Sequence, residues 1–233
     1  MLKKQIISLF LVCLMTLSLG TAFASEITID SADLSKAIAD LNKLGVMVGD
    51  EKGDFRGEAN ITRAEFSTII CRILGMEDMA KSALSNSLFT DTAGHWAEGY
   101  INVAYDRRII NGFGNGLFCP DEKITLAQAA KMLVCTLGYE RMGMKYPDSY
   151  TNKANNLQIF KSLNFSALPY NSFSSAICTR NDIAVMIHNA LDVPICERTT
   201  FTIEDQDNER NFTIFDGTNG KDLKTLRTET YSN

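Results

Sequence analysis

The chain has 233 residues, 45% of them hydrophobic and 22% charged, with 23 basic against 28 acidic side chains and a net charge of −5. Such a composition is that of a globular protein, long enough for one sizeable core or several small modules. The acidic balance argues against nonspecific capture by nucleic acid or by an anionic surface, so an anionic ligand would need a local cluster of cations.

Residues 1–24 have the pattern of a secretory signal peptide. Lys3 and Lys4 form a basic start, Ile6 to Leu19 an apolar run too short to span a bilayer, and Ala22-Phe23-Ala24 a small-x-small cleavage site. Cleavage would remove two lysines and no acids, taking the net charge from −5 to −7. No later segment is apolar enough for stable membrane insertion. Cys13 would leave with the signal, and Cys71, Cys119, Cys135, Cys178 and Cys196 would remain. An odd number excludes a fully paired monomeric disulfide framework, and the lack of any CxxC pair argues against a cysteine zinc site. Cys71 and Cys135 fall in apolar helical runs and are expected as small buried residues.

Further along the chain, Ile38, Leu41 and Leu44 make a helical stripe, followed by Gly49, Phe55 and then Thr62 with Glu65 three residues later. The same phrase returns with Ile101, Ala104 and Tyr105, then Gly112, Gly114, Gly116, Phe118, Pro120, Thr125 and Gln128. A weaker third copy has Ala154, Leu157, Ile159 and Phe160, an irregular loop with Pro169, then Thr179 and Asp182. Thr-x-x-acid/amide is a capping box, in which the hydroxyl accepts from the amide three residues on while that residue's side chain accepts from the threonine amide. At four, seven, eight and twelve residues past the threonines stand Phe66, Ile69, Ile70 and Leu74, then Ala129, Met132, Leu133 and Leu137, then Ile183, Met186, Ile187 and Leu191. Those spacings form one face of an α-helix. Two short helices cannot bury much surface alone, so packed copies must share a core. The capping residues are thereby explained locally. Arg63 and Arg180 are not, because a cation in the first turn opposes the helix dipole and calls for a specific partner.

The segment "LFTDTAGHWAEGYINVAYDRRIINGFGNGLFCPDEKIT", with Phe89, Asp91, His95-Trp96-Ala97, Gly112, Gly114, Phe118, Pro120 and Thr125, resembles an S-layer homology (SLH) domain, and "ITRAE" at Ile61 to Glu65 resembles that family's most recognisable motif. The resemblance implies three tandem copies, at 31–76 (with an incomplete start), 86–139 and 146–195 (divergent). It implies a mainly α fold, a pseudo-threefold triad with a central three-helix bundle. It also implies function: non-covalent anchoring of a secreted bacterial protein at the cell wall or S-layer by binding a pyruvylated secondary cell-wall polysaccharide in grooves between copies. By that likeness Arg63 and Arg180 are expected as the anion contacts, with Trp96, Gly112 and Gly114 as further groove residues. An arginine fork suits a ketal carboxylate, helix N-termini add amides and positive potential, and an aromatic face can stack on a sugar. Asp91 and His95 are expected to brace turns.

The copies depart from the pattern in places. Leu126 stands where the second arginine belongs, and "EITIDSADLSKAIADL" replaces the Phe-x-Asp and His-Trp-Ala opening of the first copy. These departures support an alternative, a structural module that keeps the fold and acts by protein–protein contacts in the envelope. An enzyme is not expected: there are two histidines, His95 and His188, and no G-x-S-x-G, P-loop, HExxH or dinucleotide fingerprint. "GFGNG" does not lead into a helix, and "DEKGD" at Asp50 to Asp54 lacks EF-hand spacing, so no cofactor and no metal are expected. From Cys196 the tail turns polar, with strand-like pieces at Phe201 to Ile203 and Phe212 to Phe215 and a turn at Asp216-Gly217. Residues 196–233 are expected as a hairpin on the helices, a mobile end or the start of a further domain.

Overall fold

The computed structural model describes residues 27–84, 87–169, 171–205, 208–216 and 225–231, with residues 197–216 described by backbone pairing alone. The signal segment 1–24 lies outside the described residues. The fold is mainly α-helical. A two-residue strand β1 (Thr28–Ile29) leads into α1 (Ser31–Lys43), capped by the Asp30 carboxylate, which accepts from the Ala32 and Asp33 amides. The capped helices α2 (Arg63–Ile73), α5 (Leu126–Thr136) and α7 (Arg180–Leu191) each begin with a complete capping box, from Thr62 and Glu65, Thr125 and Gln128, and Thr179 and Asp182. Between them run α3 (Glu77–Ser82), α4 (Glu98–Asp106), α6 (Asp148–Asn156) and the strand β2 (Leu163–Asn164).

The apolar face read from the threonine spacings is the core. Phe66, Ile70, Ala129, Leu133, Leu137, Ile183, Met186, Ile187 and Leu191 have no exposed surface, and Leu74 alone of the twelve is partly buried. Each first helix packs on the capped helix of the preceding copy rather than on its own: α4 on α2, α6 on α5 and, closing the circle, α1 on α7. That arrangement is why no copy could bury its stripe alone. The N-terminal ends of the capped helices repeat the circle in hydrogen bonds. Ile61 N–H donates to the Cys178 carbonyl (3.3 Å), Cys178 N–H to Ile124 (3.0 Å) and Ile124 N–H to Ile61 (3.0 Å). Isolated β-bridges Thr62 to Lys123, Thr125 to Ile177 and Thr179 to Asn60 follow the same order. β1 pairs antiparallel with β2, Thr28 opposite Asn164, so the unusual opening of the first copy is tied to the third.

The tail differs from expectation in detail. Strands β3 (Glu197–Asp205) and β4 (Asn208–Asp216) form an antiparallel hairpin with Phe201 opposite Phe212. The reversal therefore falls between Asp205 and Asn208, and the second strand ends at Asp216; the turn expected at Asp216-Gly217 runs outside the described residues. A short helix α8 (Leu226–Tyr231), absent from the sequence reading, returns to the bundle. Thr225 bridges to Pro194, Leu226 is buried, and Arg227 holds the Asp192 carboxylate at the α7 C-cap (2.6 Å).

Candidate functional site

The question left by Arg63 and Arg180, what a cation does in the first turn of a helix, has its first answer inside the chain. The Arg63 Nε donates to the Phe118 carbonyl (3.0 Å) and Nη2 to the Asn111 carbonyl (3.3 Å), both in the glycine loop of the next copy. Its guanidinium lies between two rings, 4.5 Å from the Phe113 centroid and 4.4 Å from that of Phe118. Arg180 repeats this on the loop of the first copy, with Nε donating to the Phe55 carbonyl (2.9 Å), Nη2 to that of Val48 (3.2 Å) and the Phe55 ring 5.0 Å away. Both arginines thus fasten one copy to its neighbour. Burial removes solvation from both cations, lowering the Arg180 pKa and taking Arg63 down to about 10, so each stays charged at neutral pH.

Arg63 is only 5% exposed, and its Nη1 has no acceptor among the described residues. It lines a groove of about 380 Å³ with Asn111, Gly112, Phe113, Lys131 and Tyr146. Gly112 is needed there for close approach, since a Cβ would stand 2.5 Å from the Leu117 carbonyl oxygen and 2.6 Å from the Phe89 ring. Gly114 has φ +94° and opens the tight turn that pairs with Leu117. Asp91 braces the loop, its carboxylate accepting from the Phe118 (2.9 Å) and Cys119 (2.7 Å) amides and so steadying the carbonyl that Arg63 holds. Trp96 is placed otherwise. It is 58% exposed at the turn before α4, beside the His95 ring (5.4 Å), and does not line this groove. His95 Nδ1 accepts from the Ala97 amide (3.1 Å), the turn-bracing role expected of it.

Arg180 lines a second groove, of about 320 Å³. At the third junction, between the second copy and the third, Leu126 sits at the arginine position with no exposed surface, while its amide donates to the Ala176 carbonyl (2.8 Å). An apolar side chain takes the arginine's place there and keeps only the backbone part of the junction. Sequence reasoning missed Lys131, Phe113 and Tyr146 as groove residues. The available signal was Lys131 in the apolar run of its helix, six residues past Thr125, where the other copies have Thr68 and Val185. Among the described residues no group of histidine, cysteine, aspartate or glutamate could hold a metal ion, and no helix is long and apolar enough to cross a membrane.

A cyclic assembly of capped helices, with arginines from one copy seated in the glycine loops of the next, defines a repeat-built module whose grooves lie between copies. Residues 29–67 and 88–130 match the S-layer homology domain, so the chain carries that domain in these two segments. It is 36% identical over 172 residues to a middle cell wall protein of Brevibacillus brevis, covering 73% of this chain and 16% of that protein. It is 34% identical over 206 residues to a surface layer protein of Brevibacillus choshinensis (86% and 18%) and 35% identical over 202 residues to a cell surface protein of Thermoanaerobacter kivui (83% and 25%). The chain thus spans about a sixth to a quarter of the length of these relatives. The match and these relatives place the chain at the cell wall or cell surface.

Proposed function

We propose that the chain anchors a secreted protein to the cell wall, without catalysis, by binding a secondary cell-wall polysaccharide that carries a pyruvyl ketal. The observation that carries this reading is the unused Nη1 of Arg63, on a buried guanidinium held between two phenylalanine rings and open to a groove. A ketal carboxylate would complete the fork, and a charged hydrogen bond in such a half-dry site is among the stronger contacts available to a sugar. Arg180 offers the corresponding fork in the second groove. Gly112 lets the loop backbone approach, Gly114 sets its turn, and Trp96, outside the groove, would serve a polymer running on across the surface. The reading takes 31–76, 86–139 and 146–195 as the three units.

Co-sedimentation with purified cell walls tests it. The chain should pellet with walls carrying the polymer and stay in solution with walls from which it has been extracted; pelleting with both would refute the reading. The alternative, an envelope module acting by protein–protein contacts, is favoured by one observation, the buried Leu126 that leaves the third junction without a cation. It predicts no polymer dependence.

A further inference from the structure

The two arginine grooves are built alike but charged differently. In both, the guanidinium holds the carbonyls of equivalent loop residues, Phe118 and Asn111 in one and Phe55 and Val48 in the other. Of the matched positions around them that differ, three bear on how an anion is held. Three residues past the capping threonine, Gln128 in the Arg63 groove corresponds to Glu65 in the Arg180 groove. Twelve before it, Phe113 corresponds to Asp50, and six past it, Lys131 corresponds to Thr68. With the Asn111 amide oriented to donate to the Ile110 carbonyl (2.7 Å), its oxygen accepts from Lys131 Nζ (2.9 Å). Lys131 Nζ also lies 5.3 Å from the Tyr150 ring centroid and makes no ion pair among the described residues. The Arg63 groove is therefore lined by two cations and no carboxylate. The Arg180 groove is lined by Arg56, Lys123 and Arg180 against Asp50, Asp54 and Glu65, with no net charge.

For a ligand whose one charge is a carboxylate, those three differences act in the same direction, while Arg56 of the Arg180 groove, matched by Cys119, is offset by Asp54, matched by Leu117. A second cation beside the first attracts it, and acids at the matching places repel it and compete for the arginine. Phe113, 59% exposed with its ring already against Arg63, gives a flat apolar face beside the cation. We infer that the chain has a single seat for a carboxylate-bearing sugar, the Arg63 groove, in which Lys131 is the second cation and Phe113 the stacking face, while the acids of the Arg180 groove exclude the anion. This rests on the cell-wall reading above and names which of its two forks carries affinity.

Calorimetric titration of the chain with a methyl hexoside bearing a pyruvyl ketal, and with its ketal-free parent, tests the inference. One ketal-dependent site per chain is expected. Lys131→Gln should weaken it by about tenfold or more, the loss typical of a contact to a charged group. Asp50→Asn together with Glu65→Gln should create a second ketal-dependent site. Both replacements keep an acceptor for the local amides, from Lys52 and Asp54 at position 50 and from Thr62 at position 65, and Gln128 already closes the same capping box. Two equal sites in the unsubstituted chain, unchanged affinity in Lys131→Gln, or a stoichiometry still at one in the double variant would each overturn the inference while leaving the cell-wall reading standing. No ketal-dependent binding by the unsubstituted chain would overturn both.

Discussion

Gly138→Ala separates two costs that act at the end of a capped helix. Gly75 and Gly138 follow the C-cap residues Leu74 and Leu137, with φ +64° and +78°. Alanine in that left-handed conformation costs about 1–2 kcal/mol at either place. Stiffening of the unfolded chain returns a few tenths to about 1 kcal/mol, equally in both. Space then distinguishes them. A Cβ on Gly75 would meet only the Thr230 Cγ2, at 3.4 Å, an ordinary contact. On Gly138 it would stand 2.2 Å from the Cys196 carbonyl oxygen and 3.2 Å from the carbonyl carbon. That backbone cannot swing aside freely, because Cys196 N–H donates to the Leu137 carbonyl (2.9 Å) and Cys196 itself is buried. Overpacking of this kind adds about 1–3 kcal/mol. Gly75→Ala should therefore lose about 0–2 kcal/mol and Gly138→Ala about 1–5 kcal/mol, the difference being the overpacking cost of about 1–3 kcal/mol. Urea unfolding followed by far-ultraviolet circular dichroism reads the difference in midpoints, with unchanged m values required for the comparison. Equal losses, or a smaller loss for Gly138→Ala, would refute the claim that the tail leaves the bundle by packing on the end of α5.

Three other outcomes follow from the same geometry. Thr125→Ala removes the hydroxyl that accepts from the Gln128 amide (3.3 Å) and should cost about 1 kcal/mol in thermal or urea unfolding; no loss would show that the box does not hold the α5 start. Leu126→Arg would place an unpaired cation where the side chain has no exposed surface, so it should lose about 3 kcal/mol or more in the same assay and add no polymer affinity; a stable variant with tighter binding would contradict the assignment of that junction as apolar. Burial raises the Cys71 thiol to about 12 and the Cys178 thiol well above its usual value, so both stay protonated and slow to alkylate near pH 8. Peptide mapping after brief iodoacetamide treatment should find Cys119, which is only partly buried, labelled before either, and the reverse order would refute the packing around α2 and α7.

The helices were legible because their signals are local. A threonine, an acid or amide three residues later and an apolar face at helical spacing fix where α2, α5 and α7 start and what they bury. The partners of those faces were not legible, because α1 reaches α7 across most of the chain and nothing in either helix names the other. Arg63 shows the limit well. Its misfit with the helix dipole was visible, and so was the need for a partner, but carbonyls at Asn111 and Phe118 lie about fifty residues away in sequence. Trp96 was singled out by motif alone, and the turn that carries it leaves it exposed beside His95 rather than in the groove. The helix α8 escaped notice because its anchor is one buried leucine and an ion pair, Arg227 on Asp192, neither of which makes a periodic pattern.

The most direct test of the central claim is calorimetric titration of the chain with purified pyruvylated wall polymer, beside the same polymer stripped of its ketal. The account predicts saturable binding to the first, little or none to the second, and loss of the difference in Arg63→Ala folded as judged by its circular dichroism. Equal binding to both polymers, or binding to neither by a folded chain, would contradict it.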